Sequence, residues 1–128
     1  MAAFSNYLEN ALINGTLRAT SYTAPTTVYV ALFTSDPGDD GSGTEVSGNA
    51  YARQSATFAA PSNGAASTNA DVQFPQATGT WGTVTHFAIF DALTTGNMMY
   101  HGALTASKLI EIGDVFKIAS GALTVTLA

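Results

Sequence analysis

The sequence predicts an all-β fold: a single compact β-sandwich, jelly-roll or immunoglobulin-like, with a short N-terminal α-helix. Three observations carry this. Apolar and β-branched residues come in short runs that mostly alternate with polar ones, as half-buried strands do. Turn signals such as Asn63-Gly64 and Gly113-Asp114 punctuate those runs at the spacing of roughly 8–12 residues seen in sandwiches and barrels. One run, residues 81–91, is apolar on both alternating faces, with Val84, Ala88 and Phe90 beside His86 on one and Phe87 and Ile89 on the other. A strand of that kind is covered on both sides and belongs near the middle of a sheet.

The elements follow in chain order. Residues 5–14 read as a helix, with Phe4, Leu8, Ala11 and Leu12 on one stripe, Ser5 as its cap and Gly15 at its end. Residues 1–17 are thus expected to form a helical arm, either capping a sheet edge or docking on a partner. Residues 26–35 are rich in β-branched and aromatic side chains and read as a strong strand. A long turn-rich loop, 36–49, carries Asp36, Asp39, Asp40 and Glu45. Residues 51–58 alternate as a strand, with Arg53 and Thr57 opposite Ala52, Ala56 and Phe58. Asn63-Gly64 is the best short turn signal, and Val72 and Phe74 make a short strand that Pro75 ends. After the central strand, Asp91 and Gly96-Asn97 form a turn. Residues 97–101 and 104–112 then read as two strands, and 115–118 and 122–127 as a final pair around Ser120-Gly121. No repeat or heptad divides the chain, so residues 1–128 are expected to be one domain.

Composition excludes several classes of function. Only 10% of the residues are charged, and four basic residues stand against nine acidic ones, for a net charge of −5. Four scattered cations build no basic patch, so neither nucleic acid nor an anionic membrane is an expected partner. There is no cysteine, hence no disulfide and no thiolate chemistry. No apolar run approaches the ~20 residues of a spanning helix, and the first residues lack the basic and apolar regions of a signal peptide. Synthesis in the cytoplasm is the expectation.

No constellation carries a reaction. Read as a calcium loop from Asp36, the acidic stretch has Asp40 and Gly41 in place but Gly38 at the third position and Ser47 where a bidentate glutamate belongs. A solvated hairpin loop is the better reading. His86 and His101 are the two imidazoles, with no metal-ligand spacing, and they read as side chains packed on or near the core. There is neither a nucleophile elbow nor a phosphate-binding loop. No catalytic residue, metal or cofactor is assigned. Trp81, Tyr51 and Tyr100 are conceivable sugar platforms, although burial is the commoner use of such rings in a small domain.

Several stretches resemble a known family. They are Phe4-Ser-Asn-Tyr-Leu-Glu-Asn, Val28-Tyr-Val-Ala-Leu-Phe-Thr-Ser-Asp-Pro37, residues 43–54, residues 74–91 and Tyr100-His-Gly-Ala-Leu-Thr-Ala-Ser-Lys108. Together they are similar to small tailed-phage virion proteins usually labelled phage tail fibre protein, over almost the full chain. The resemblance implies a structural component of the virion, with no catalytic residues. A fibre shaft needs a coiled coil, triple β-helix or repeat, and none is visible. The expectation is therefore a capsid decoration (cement) protein, a homotrimer bound to the major capsid protein or other virion proteins and stabilising the shell. The alternative is a tail or neck fibre module that contacts host-surface glycans. The residues expected to meet partners are Phe4, Tyr7, Leu8 and Leu12 of the arm, and Asp36, Asp39, Asp40 and Glu45 of the loop.

Overall fold

A computed structural model describes residues 2–127; Met1 and Ala128, the two ends of the expected arm and domain, lie outside them. The chain is an all-β sandwich with one helix. Its elements are β1 (Ala3–Phe4), α1 (Asn6–Leu17), β2 (Val28–Phe33), β3 (Gln54–Ala56), β4 (Ala65–Ser67), β5 (Val72–Gln73), β6 (Gly82–Phe90), β7 (Met98–Ile110), β8 (Lys117–Ile118) and β9 (Thr124–Thr126). A five-stranded antiparallel sheet runs in the order β1-β7-β6-β2-β3, and two ribbons, β4-β9 and β5-β8, complete the strands.

The doubly apolar run is β6, and it occupies the centre of the sheet. Val30, Leu32, Phe87 and Ile89 face the main core, which also holds Phe74, Trp81, Phe116, Leu123 and Val125. The ribbons cover this side. Ala31, Phe33, Ala88, Phe90 and Met98 form a second buried cluster. That face has no second sheet over it, and its cover is described below. Val84 departs from the expected alternation: it joins Phe87 and Ile89 in the main core. The register between β6 and β7 shifts between Val84 and His86, and such an irregularity re-aims side chains.

The same shift explains a second departure. Residues 97–101 and 104–112 are one strand, β7, rather than two. Val84 faces Lys108 while His86 faces Ala103, so residues 104–107 bulge out of the ladder. Strand 51–58 contracts to Gln54–Ala56. The last two strands do not pair with each other: β8 runs against β5, and β9 against β4. The Ser120-Gly121 turn is still there, with the Ala122 N–H donating to the Ala119 carbonyl. Strand propensity marks such segments but says nothing of their partners, which packing decides.

The Asn63-Gly64 turn forms as its sequence requires. Asn63 and Gly64 both have positive φ, at 52° and 77°, the signature of a type I′ hairpin turn. Helix α1 runs past Gly15, where it was expected to stop. It ends at Leu17 and is capped by Arg18, whose N–H donates to the Asn14 carbonyl, and Ala19 takes the left-handed conformation with φ 54°. At its start the buried Ser5 accepts a hydrogen bond from the Leu8 N–H at 3.1 Å. Ser5→Ala should cost about 1 kcal/mol of stability, read as a lower urea midpoint; an unchanged midpoint would mean the cap is dispensable.

Candidate functional site

The arm is part of the sheet before it is a helix. β1 pairs with β7, placing Ala3 opposite His101 and Phe4 opposite Tyr100. The Phe4 ring meets the Tyr100 ring edge-on at 5.5 Å. Leu8 is 3% exposed and belongs to the main core, with Leu12 partly buried against it. Leu8 is therefore a core residue, unavailable for the partner contact expected of it. The opposite side of α1 exposes Tyr7, Ile13 and Leu17, the last 79% exposed. Tyr7, Asn10, Asn14 and Tyr22 line an open groove beside it.

The acidic loop packs its proline inward and leaves its aspartates exposed. Pro37 is fully buried, and a side chain at Gly41 would lie 3.9 Å from the Met98 sulfur. Asp39 Oδ1 lies 2.7 Å from His101 Nε2, and the Asp39 carbonyl accepts from the Asn6 N–H at 2.9 Å. One residue thus ties the loop to both β7 and the start of α1. Asp36 accepts from the Gly38 N–H and Asp40 from the Ser42 N–H. The Ser42 hydroxyl and N–H hold the Asp40 carboxyl below its ordinary value. As expected, the loop is a hairpin with exposed aspartates, closed by an antiparallel bridge between Phe33 and Glu45; it also covers part of the second face, through Pro37 and through Gly41 against Met98. Among the described residues, no three His, Asp or Glu side chains gather as a metal site. His86 and His101 are two register positions apart in pairing, opposite Ala103 and Ala88 respectively, and His86 bonds Thr85.

Glu45 serves a different network. Arg53 Nε and one terminal nitrogen each donate to its carboxylate at 2.9 Å, a bidentate pair. The other terminal nitrogen donates to the carbonyls of Ala92 at 3.0 Å and Thr95 at 2.8 Å. The guanidinium carbon sits 3.7 Å from the centroid of the Phe90 ring, a cation–π contact. Tyr51 donates its hydroxyl to Glu45 at 2.6 Å and accepts from the Leu32 N–H at 3.1 Å. Sequence reading left Arg53 as an ordinary strand residue, since an Arg–Glu pair eight apart across a loop has no periodic signal.

Burial, then the hydrogen bond to Glu45, pushes the Tyr51 phenol far above its ordinary value. Burial also raises Tyr22 and Tyr100. In an unfolded chain these phenols ionise at about 10. Their neutral forms therefore hold stability that is complete below about pH 10 and is lost as the pH rises above it. The urea midpoint should be flat from about pH 7 to 9 and fall towards pH 12, with a shallower fall in Tyr51→Phe. A parent whose midpoint stayed level to pH 12 would contradict this.

Trp81 joins the core, and Tyr51 and Tyr100 are partly buried against it. Trp81 is 5% exposed, with its indole N–H donating to the Asn49 carbonyl. Tyr51 stacks on Phe74 and meets Trp81 edge-on at 5.4 Å. Among the described residues, every buried side-chain nitrogen and oxygen has a hydrogen-bond partner. The apolar features of the surface are Tyr7, Ile13 and Leu17 on the outer side of α1, the exposed Leu93, Leu109, Ile112, Val115 and Leu127 elsewhere, and a small cleft between the sheet and the β4-β9 ribbon. The chemistry such features support is contact with another protein.

In comparison with known proteins, the family model described as "Podophage GP4 fiber I protein gp80" matches residues 3–126. No curated protein matches the chain.

Proposed function

Since the chain belongs to the podophage GP4 fiber I protein gp80 family, and is thus a virion structural protein of a non-enzymatic class, we propose that it is a component of the phage fibre, acting by surface contact. The observation that carries this is the extent of the match: residues 3–126 run from β1 through β9 and include the whole fold. The apolar surface features support it, because a sparsely charged module with exposed aliphatic side chains suits being covered by protein.

One observation favours a second reading. Among the described residues the fold is a single sandwich whose one helix has 12 residues, with no coiled coil or repeat to make a shaft. A compact module of that kind also suits decoration of the head, as a homotrimer on the major capsid protein. Contact with host glycans is the least favoured role, because Trp81 is buried.

Copy number in purified virions, measured against the major capsid protein, tests the proposal. A few copies per particle, with immunogold label on the tail, are expected for a fibre component. A ratio comparable to the shell subunit would overturn the fibre reading in favour of decoration. Absence from the particle would overturn both.

A further inference from the structure

We propose that Asn63 is a site of spontaneous chemical modification, losing its side-chain amide through a cyclic imide formed with the backbone nitrogen of Gly64. The chain holds two Asn-Gly pairs, Asn14-Gly15 and Asn63-Gly64. Glycine favours this reaction because it has no side chain to shield the attacking nitrogen. Local sequence nominates both pairs alike, and the structure separates them.

Asn14 and Gly15 lie inside α1, where the Gly15 N–H belongs to the helix's own hydrogen bonds. The Asn14 carbonyl accepts from the N–H groups of Arg18 and Thr20, each at 3.1 Å. Its side-chain oxygen accepts from the Arg18 guanidinium at 3.3 Å. Ring closure there needs a backbone rotation that breaks the helix. Asn63 and Gly64 are instead exposed, at a two-residue turn between Ser62 and Ala65. Among the described residues the Gly64 N–H donates to no backbone carbonyl, so hydroxide can take its proton. Rotation about Asn63 opens only the end of the β4-β9 ribbon, which is three residue pairs long. Opening a short exposed end costs far less than opening a helix packed into the core.

The step needs no oxidant and no metal. The Gly64 nitrogen, its proton gone to hydroxide, bonds to Asn63 Cγ. The bond from Cγ to the side-chain nitrogen breaks, and ammonia leaves with a proton from water. Water then opens the imide at one of its two carbonyls. Opening at Cγ gives isoaspartate's sibling, an ordinary aspartate; opening at the Asn63 backbone carbonyl gives isoaspartate, whose main chain runs through Cβ. Asp-Gly is itself a type I′ pair, so the aspartate form keeps the turn. The isoaspartate backbone is one carbon longer and cannot hold both bonds between Ser62 and Ala65, now at 2.9 and 3.0 Å. It loosens the ribbon whose Val125 lies in the main core. A virion cannot resynthesise its proteins, so the change accumulates as the particle ages. The chemistry itself is independent of where on the virion the chain sits.

The test incubates the full chain at about pH 9, below the ordinary ionisation of its tyrosines at about 10. It is done in buffer and in urea, with peptides mapped by mass spectrometry. In urea the two pairs should react at similar rates. In the folded protein Asn63 should react at least about tenfold faster than Asn14, whose barrier carries the larger cost of opening. Isoaspartate should appear at position 63. Asn14 reacting as fast as Asn63, or Asn63 staying intact while the urea sample turns over, would overturn the proposal. Asn63→Gly removes the amide and keeps a pair suited to the same turn. After incubation the parent should show a lower urea midpoint, and this variant an unchanged one. An equal fall in both would overturn the assignment of that loss to Asn63.

Discussion

Arg53→Ala is expected to destabilise the domain by roughly 3–5 kcal/mol, the cost of removing one partner of a buried ion pair. The arginine side chain is 8% exposed, and its partner Glu45 is itself three-quarters buried. Removing the guanidinium leaves a desolvated carboxylate, two carbonyls without their donor, and a bare Phe90 ring. The carbonyls of Ala92 and Thr95 belong to the β6-β7 connection, so that loop should loosen as well. Arg53→Lys should recover only a small part of the loss, since one ammonium can neither fork onto a carboxylate nor stack flat on a ring. Urea denaturation of the three proteins measures this. An Arg53→Ala midpoint within about 0.5 kcal/mol of the parent, the range of an ordinary surface change, would show that the network is ornamental.

Deleting residues 1–17 should abolish cooperative folding. Leu8→Ala alone is expected to cost about 2–5 kcal/mol as a core truncation. The deletion also removes the buried Ala2 and Ser5, unpairs the edge of β7, and takes away the hydrogen bond from Ser5 N–H to the Met99 carbonyl. Losses of that sum meet or exceed the usual stability of a domain this size. The measurement is a thermal melt followed by circular dichroism in the near ultraviolet. A sharp melt near the parent's temperature would make the arm a detachable contact, as the sequence alone allowed.

These two predictions lie where sequence reading stopped. Ser5, Leu8 and Leu12 announced a capped amphipathic helix, but Ala3 and Phe4 are too few to show as a strand. A two-residue strand has no period, and only the open edge of β7 makes it one. Asp36, Asp39 and Asp40 were conspicuous as an acidic loop, and the natural expectation for such residues is solvent. They do stay exposed; what no local pattern shows is that Pro37 beside them is buried and that Asp39 reaches His101, sixty-two residues away in the chain. Glu45 and Arg53 meet for the same reason, through a loop whose path no local rule specifies.

The sequence by itself determined the class and the centre of this protein. Alternation made it all-β, the doubly apolar run from Gly82 to Phe90 made β6 the middle strand, and Asn63-Gly64 set a type I′ turn. All of these are local: they follow from side-chain periodicity of two and from the φ angles a residue tolerates. The tertiary structure alone decided what covers each face of β6, which partners β8 and β9 take, and which apolar residues remain outside. Those outcomes depend on contacts between residues distant in the chain, whose free energy is collective and leaves no mark on any short stretch of sequence.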